Sequence, residues 1–232
     1  MVARDFEGFI RSIPVITRIY MGCVIVLSVA LKLGITTPMS HIFLWPLIKR
    51  GEIWRLITPF FFYGELSVQT LFVLFMLFQY SRSLEQSIGD TAEYLYFFIF
   101  TMVVTIGIAP ALKIIILSRA LEFGIIYLSS RRNPNRNVML LFFPLQAKYL
   151  PIAFLLLHWL MGDSLKELIV AFLVSHLYFY LHDVLPATSG VDPLRTPKIL
   201  EKVINRVENP QPEQQDAAQA NNPWMGQGNR VN

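Results

Sequence analysis

The sequence predicts an all-α membrane protein: a six-span helical bundle with a membrane-embedded first loop and a disordered tail. Three observations carry that prediction. Of the 232 residues, 54% are hydrophobic and only 16% are charged, too few charges to wet the surface of a soluble domain. The Leu, Ile, Val and Phe residues gather in long blocks, as membrane spans require. Residues 209–232, rich in Pro, Gln, Asn, Ala and Gly, break with that composition and cannot bury a core. The net charge of +4 is spread along the chain and reads as membrane orientation, not as a nucleic-acid-binding face. The single cysteine, Cys23, excludes an intrachain disulfide.

From the start, residues 1–14 place Phe6, Phe9, Ile10 and Ile13 on one helical face, with Arg4, Glu7, Gly8 and Arg11 opposite. That pattern predicts a helix lying flat in the membrane interface. The first span is expected over 15–33, with Arg18 and Lys32 able to snorkel to the headgroups. No cleavable signal peptide precedes it, so the span itself is expected to act as the targeting signal. Residues 34–66 form a loop too apolar for plain solvent. "IFLWPLI" and "TPFFFY" prefer the bilayer while Pro46 and Pro59 break helices, so short helices half sunk in the interface are expected. Further spans are expected over 67–83, 93–109 (closed by Pro110), 112–129, 148–161 and 164–185 (ending at Pro186). The fifth is short: about 14 residues at 1.5 Å each reach about 21 Å, against a hydrocarbon core of about 30 Å.

Six spans put both ends on one side. Arg4 and Arg11, Arg82, the group Arg131, Arg132, Arg136 and Lys148, and Arg195, Lys198 and Lys202 then share that side, which the positive-inside rule assigns to the cytosol. Lys49, Arg50 and Arg55 in the long outer loop pull the other way. Residues 186–208 hold a membrane-proximal helix, with Thr196 and Pro197 at its start and Ile199, Leu200, Val203, Ile204 and Val207 on one side.

"WRLIT" (54–58), after a first span and before a Phe-rich stretch, resembles the Trp-Arg motif of the derlins, rhomboid-like pseudoproteases of the endoplasmic reticulum. "RSIPVITR" (11–18), "FLWP" (43–46), "YSRSLE" (80–85), "AEYLYFFIF" (92–100), "KYLP" (148–151), "HLYFYL" (176–181) and "TPKIL" (196–200) follow in derlin order, so the resemblance covers roughly 1–205. It implies a rhomboid-like six-span domain over 15–185 whose first loop is a hairpin embedded in the outer leaflet, anchored by Trp54 and Arg55. Physically, Trp favours the headgroup level and Arg offers a fork of donors to lipid phosphate or loop carbonyls. Thr58, one turn later, is a candidate for the same network.

A rhomboid protease needs a Gly-x-Ser nucleophile on span four and a histidine base on span six. Span six has His176, but Ser118 stands in "IIILSRAL" with no Gly-x-Ser around it. His176 is therefore expected to pack and hydrogen-bond, as in derlins. His41, His158 and His182 show no metal-ligand spacing. Two departures from the derlin pattern stand out. The Gly-x-x-x-Gly pair of span six is replaced by Ala171 and Ser175, which permits a less close helix approach. Arg119 and Glu122 sit at i, i+3 inside span four, either as a sealed ion pair or as the polar lining of a cytosol-facing groove.

By resemblance, the chain is expected in the endoplasmic reticulum membrane, with both termini cytosolic, as a non-enzymatic helper in exporting misfolded proteins for proteasomal degradation. Expected partners are a membrane ubiquitin ligase complex, other derlin copies, the misfolded substrates, the lipid bilayer, and a hexameric AAA ATPase of the valosin-containing protein type. The tail "PWMGQGNRVN" resembles the short box that binds this ATPase, with Trp224, Gly226, Gly228 and Val231 at its pattern positions and Arg230 suited to an acidic side chain. No cofactor or metal is expected. The rival readings are an active intramembrane serine protease, opposed by the missing Gly-x-Ser motif, and a small-solute transporter or channel, suggested by Arg119 and Glu122.

Overall fold

The computed structural model of the protein describes residues 8, 10, 12–140, 143–160, 162 and 164–208. Most of the expected interfacial helix of 1–14, and the whole tail with Trp224, Gly226, Gly228, Arg230 and Val231, lie outside the described residues. The chain divides into two units at Arg195/Thr196. The second contributes a helix over Lys198–Glu208, opened by a hydrogen bond from Leu200 N to Pro197 O of 2.9 Å.

The first unit is built on six helices: α1 (Val15–Lys32), α2 (Val68–Ile88), α3 (Thr91–Leu112), α4 (Ser118–Arg132), α5 (Leu150–Leu160) and α6 (Leu165–Ser189). Of these, α1, α3 and α6 are long and apolar enough to cross a membrane. The centre is α4, buried at every position from Ala120 to Ser130. Helices α2, α3, α5 and α6 pack around it, and α1 lies against α2 and α3. Ile25 and Val26 of α1, Leu156 and Trp159 of α5, and Ile169 and Leu173 of α6 face outward. Such an apolar exterior matches a protein solvated by lipid.

Each helix end has a local cause. Ser67 caps α2, its Oγ accepting from Thr70 N at 3.1 Å. Gly89 ends α2 in the left-handed region, at φ 73°, and the next residue, Asp90, caps α3. The second helix therefore continues past the expected end at 83, with Leu84 and Glu85 turned inward and Gln86 and Ser87 exposed. Pro110 does not close the third helix as expected. It lies within the last turn, and α3 ends instead at Lys113, whose φ is 55°.

The fourth helix begins at Ser118, not at 112. The stretch before it, 114–117, has no regular structure and is tied to the first loop, Phe43 N donating to Ile115 O at 2.8 Å. The sixth passes the expected stop at Pro186 through a π turn over Tyr180–Val184 and ends at Gly190, φ 70°. The first loop folds into short turns over Pro38–Ser40, Trp45–Ile48, Ile53–Leu56 and Thr58–Phe60.

The sequence pattern did not predict strands, yet β1 (Asn137–Leu140) and β2 (Phe143–Gln146) form an antiparallel hairpin between α4 and α5. Its register pairs Val138 with Leu145 and Leu140 with Phe143.

Candidate functional site

Arg55 is the knot of the first loop. Its side chain is 93% buried, an expensive position for a guanidinium unless its donors are met. Nε donates to Glu52 Oε2 at 2.6 Å, and Nη1 donates to Met39 O at 2.6 Å and to Ile42 O at 3.1 Å. Of the two roles open to it, lipid phosphate or loop carbonyls, the structure realises contacts to loop carbonyls. Trp54 beside it is half exposed. Thr58 Oγ1 donates to Trp54 O at 3.0 Å and bonds the motif's own turn rather than the guanidinium. Glu52 stands three residues before Arg55, outside the Trp-Arg motif, and the sequence alone does not mark it as the partner. His41, bonded through Nε2 to Thr36 Oγ1 at 2.7 Å, lies close enough to feel Arg55. Burial first, and then the Arg55 charge, hold its imidazole below the ordinary pKa. The neutral ring stabilises this loop at neutral pH, and that contribution fades as pH falls through the lowered value.

The α4–α6 seam carries the expected packing residues. Ala171 and Ser175 are both fully buried, and Ser175 Oγ donates to Ala171 O at 2.6 Å. The glycine that lets the helices meet is Gly124, on α4. A Cβ there would stand 2.9 Å from Phe97 Cζ and 3.4 Å from Ser175 Oγ. Lower on the seam, His176 Nδ1 meets the phenol of Tyr127 at 2.6 Å, and its ring stacks on Phe172. Ser118 stands nine residues before Tyr127 on α4, roughly 13 Å along the axis. The hydroxyl presented to His176 is therefore a phenol held by packing, and Ser118 is not within its reach.

Arg119 and Glu122 do pair, at 2.9 Å. Glu122 is buried, and its other carboxylate oxygen lies 3.8 Å from His158 Nε2 on α5. Arg119 also borders a pocket of about 270 Å³ with Tyr63, Glu65, Gln69 and Thr70. The polar cluster lies at the end of α4 that meets the first loop. Tyr63 joins that end to α1, its hydroxyl contacting Tyr20 at 2.8 Å and donating to Ser118 O at 3.1 Å.

Two further polar clusters were not singled out from sequence. Glu85 on α2 accepts from Ile16 N at 3.0 Å, Thr17 N at 2.8 Å and Thr17 Oγ1 at 2.7 Å. Ser81 bridges Thr17 Oγ1 and the Tyr94 hydroxyl at 2.8 and 2.7 Å. At the far end of α4, Arg132 pairs with Glu93 of α3 at 2.8 Å and with Asp183, in the π turn of α6, at 3.0 Å. Among the described residues, no group of three His, Cys, Asp or Glu side chains is placed to hold a metal ion.

The profile of the Der1-like family matches residues 13–198. The chain is 33% identical over 220 residues to the probable derlin-2 homolog of Dictyostelium discoideum, covering 90% of this chain and 87% of that protein. It is 32% identical over 219 residues to Derlin-2.2 of Zea mays, covering 88% of each. With Derlin-1 of Arabidopsis thaliana it shares 34% identity over 206 residues, 85% of this chain and 77% of the relative.

Proposed function

The chain belongs to the Der1-like family, and on that premise we propose that it is a non-enzymatic component of endoplasmic-reticulum-associated degradation. In this reading it crosses the membrane six times with both termini cytosolic and assists the retrotranslocation of misfolded proteins. It works beside a membrane ubiquitin ligase, alone or with other derlin copies, and its tail recruits the hexameric AAA ATPase through Trp224, Gly226, Gly228, Arg230 and Val231.

One observation carries the mechanism: the helices at the interior are short. The central α4 has 15 residues and α5 has 11, about 22 Å and about 16 Å of rise against a hydrocarbon core of about 30 Å. A bilayer that thins to match them offers polar polypeptide a shorter, better hydrated path. Cryo-electron microscopy of the protein in lipid vesicles is expected to show the two leaflets several ångströms closer around it; leaflets at the undisturbed spacing would overturn the mechanism.

The first loop is the element that contacts the outer leaflet in this reading, and Arg55 holds its shape. Arg55→Ala removes three hydrogen bonds and leaves Glu52 without this partner. It is expected to leave membrane insertion intact but slow the decay of a misfolded luminal reporter severalfold in a pulse-chase. Normal decay at normal abundance of the variant would remove the loop from the mechanism.

A further inference from the structure

A cavity of about 420 Å³ lies where α2, the end of α4, the β1–β2 hairpin and the start of α5 come together. Its size falls in the range of small-molecule sites. Its chemistry is divided. Phe72, Phe75 and Met76 of α2 and Leu150 of α5 give it an apolar wall, and Ser83, Asn133 and Arg136 give it a polar rim. No carboxylate is among its lining residues. Arg136 is exposed, and its Nη1 donates to Ser83 Oγ at 2.5 Å. The backbone behind it is fixed on both sides, with Arg136 N donating to Asn133 O at 3.2 Å and Arg136 O accepting from Ala147 N at 2.8 Å. A guanidinium carries five donors in a rigid fork, so Ser83 orients it over the rim and leaves a fork suited to an oxyanion.

The surroundings add to the argument. Lys148, a second exposed cation, follows the hairpin, its N donating to Pro134 O at 3.1 Å and its Nζ lying 4.8 Å from the centre of the Tyr149 ring. Met139 and Phe143 of the hairpin point outward, Phe143 at 72% exposure. Apolar side chains outside and cations beside them are the composition of a segment seated at the headgroup level.

We propose that this cavity binds an anionic phospholipid. Its phosphodiester sits on Arg136 and Ser83, and one acyl chain runs along Phe72, Phe75 and Met76. Charge complementarity selects the anion, and the apolar wall selects a lipid over a free phosphate. The inference rests on the chain's being embedded in a membrane and is independent of the degradation role.

The test uses the full-length protein in detergent, supplied with phosphatidylserine, phosphatidylcholine or inorganic phosphate and read by native mass spectrometry. Phosphatidylserine is expected to be retained in preference to phosphatidylcholine. Arg136→Glu should reduce that retention about tenfold, the equivalent of one charge-assisted contact, while Arg136→Lys keeps most of it. Arg136→Gln gives the same reading without charge reversal if the Glu variant fails to fold. A photoactivatable phosphatidylserine with a diazirine in its acyl chain should label the α2 peptide that holds Phe72, Phe75 and Met76. Equal retention of both lipids, full displacement by millimolar inorganic phosphate, unchanged retention in Arg136→Glu and Arg136→Gln, or a co-purifying polypeptide crosslinked there instead would each overturn the proposal.

Discussion

Glu85→Ala is expected to lower the thermal transition of the purified protein by about 10 °C, corresponding to roughly 3 kcal/mol for a chain of this size. The reason lies at the start of α1. The first N–H groups of a helix have no partner within it, and Pro14, at the capping position, supplies no side-chain bond. A carboxylate from another helix does the capping, with one oxygen on Ile16 N and the other on Thr17 N and Oγ1. Hydrogen bonds to a charged acceptor contribute about 1.5–3 kcal/mol each, and the positive end of the helix dipole adds to them. Alanine leaves two donors unmet in a buried place and detaches α1 from α2. Glu85→Gln keeps the size and a carbonyl acceptor, so its loss should be about half as large. Scanning fluorimetry in detergent reads both. A Glu85→Ala transition within about 2 °C of wild type would show that α1 is held by apolar packing alone.

That clamp also shows where sequence reasoning reaches and where it stops. "RSIPVITR" and "YSRSLE" carried the family resemblance, but their meeting through Thr17, Ser81 and Glu85 spans nearly seventy residues and leaves no periodic trace. A glutamate near the polar end of a helix reads as solvated until a partner helix is placed against it. The helices were legible because apolar length is a local property. Their ends were less so, because Lys113 in the left-handed region and the tie from Phe43 to Ile115 depend on tertiary context.

The hairpin had a signal that passed unread. "VMLLFFPL" (138–145) is an apolar run of strand length, too short to span. Gly124 had one as well, as the glycine of the expected fourth span, but only the opposing Phe97 and Ser175 make its missing Cβ matter. In the first loop, Arg55 stood out in the motif, while the carbonyls of Met39 and Ile42 that it binds did not, since any residue supplies a carbonyl.

Glu122→Ala should be the most damaging change at the α4–α5 contact. The carboxylate is 2% exposed and stands between Arg119 at 2.9 Å and His158 at 3.8 Å, so its removal takes a counter-charge from one and a polar neighbour from the other. Breaking a buried pair from one side costs about 3–5 kcal/mol. Arg119 is 18% exposed and borders a pocket, so solvent can rehydrate it in part, and the expected loss lies toward the lower end of that range. Arg119→Ala leaves the more deeply buried carboxylate behind, with His158 still beside it at 3.8 Å. The 3.8 Å between His158 and Glu122 is too long for a hydrogen bond, so the Arg119 contact is the shorter of the two. The double change Arg119→Ala/Glu122→Ala removes both charges at once and should recover much of the single losses, giving a coupling energy of about 1–3 kcal/mol in a thermal double-mutant cycle. Single losses that add to within about 0.5 kcal/mol would show the two side chains acting on separate partners, with Arg119 serving the pocket beside the first loop and Glu122 serving His158.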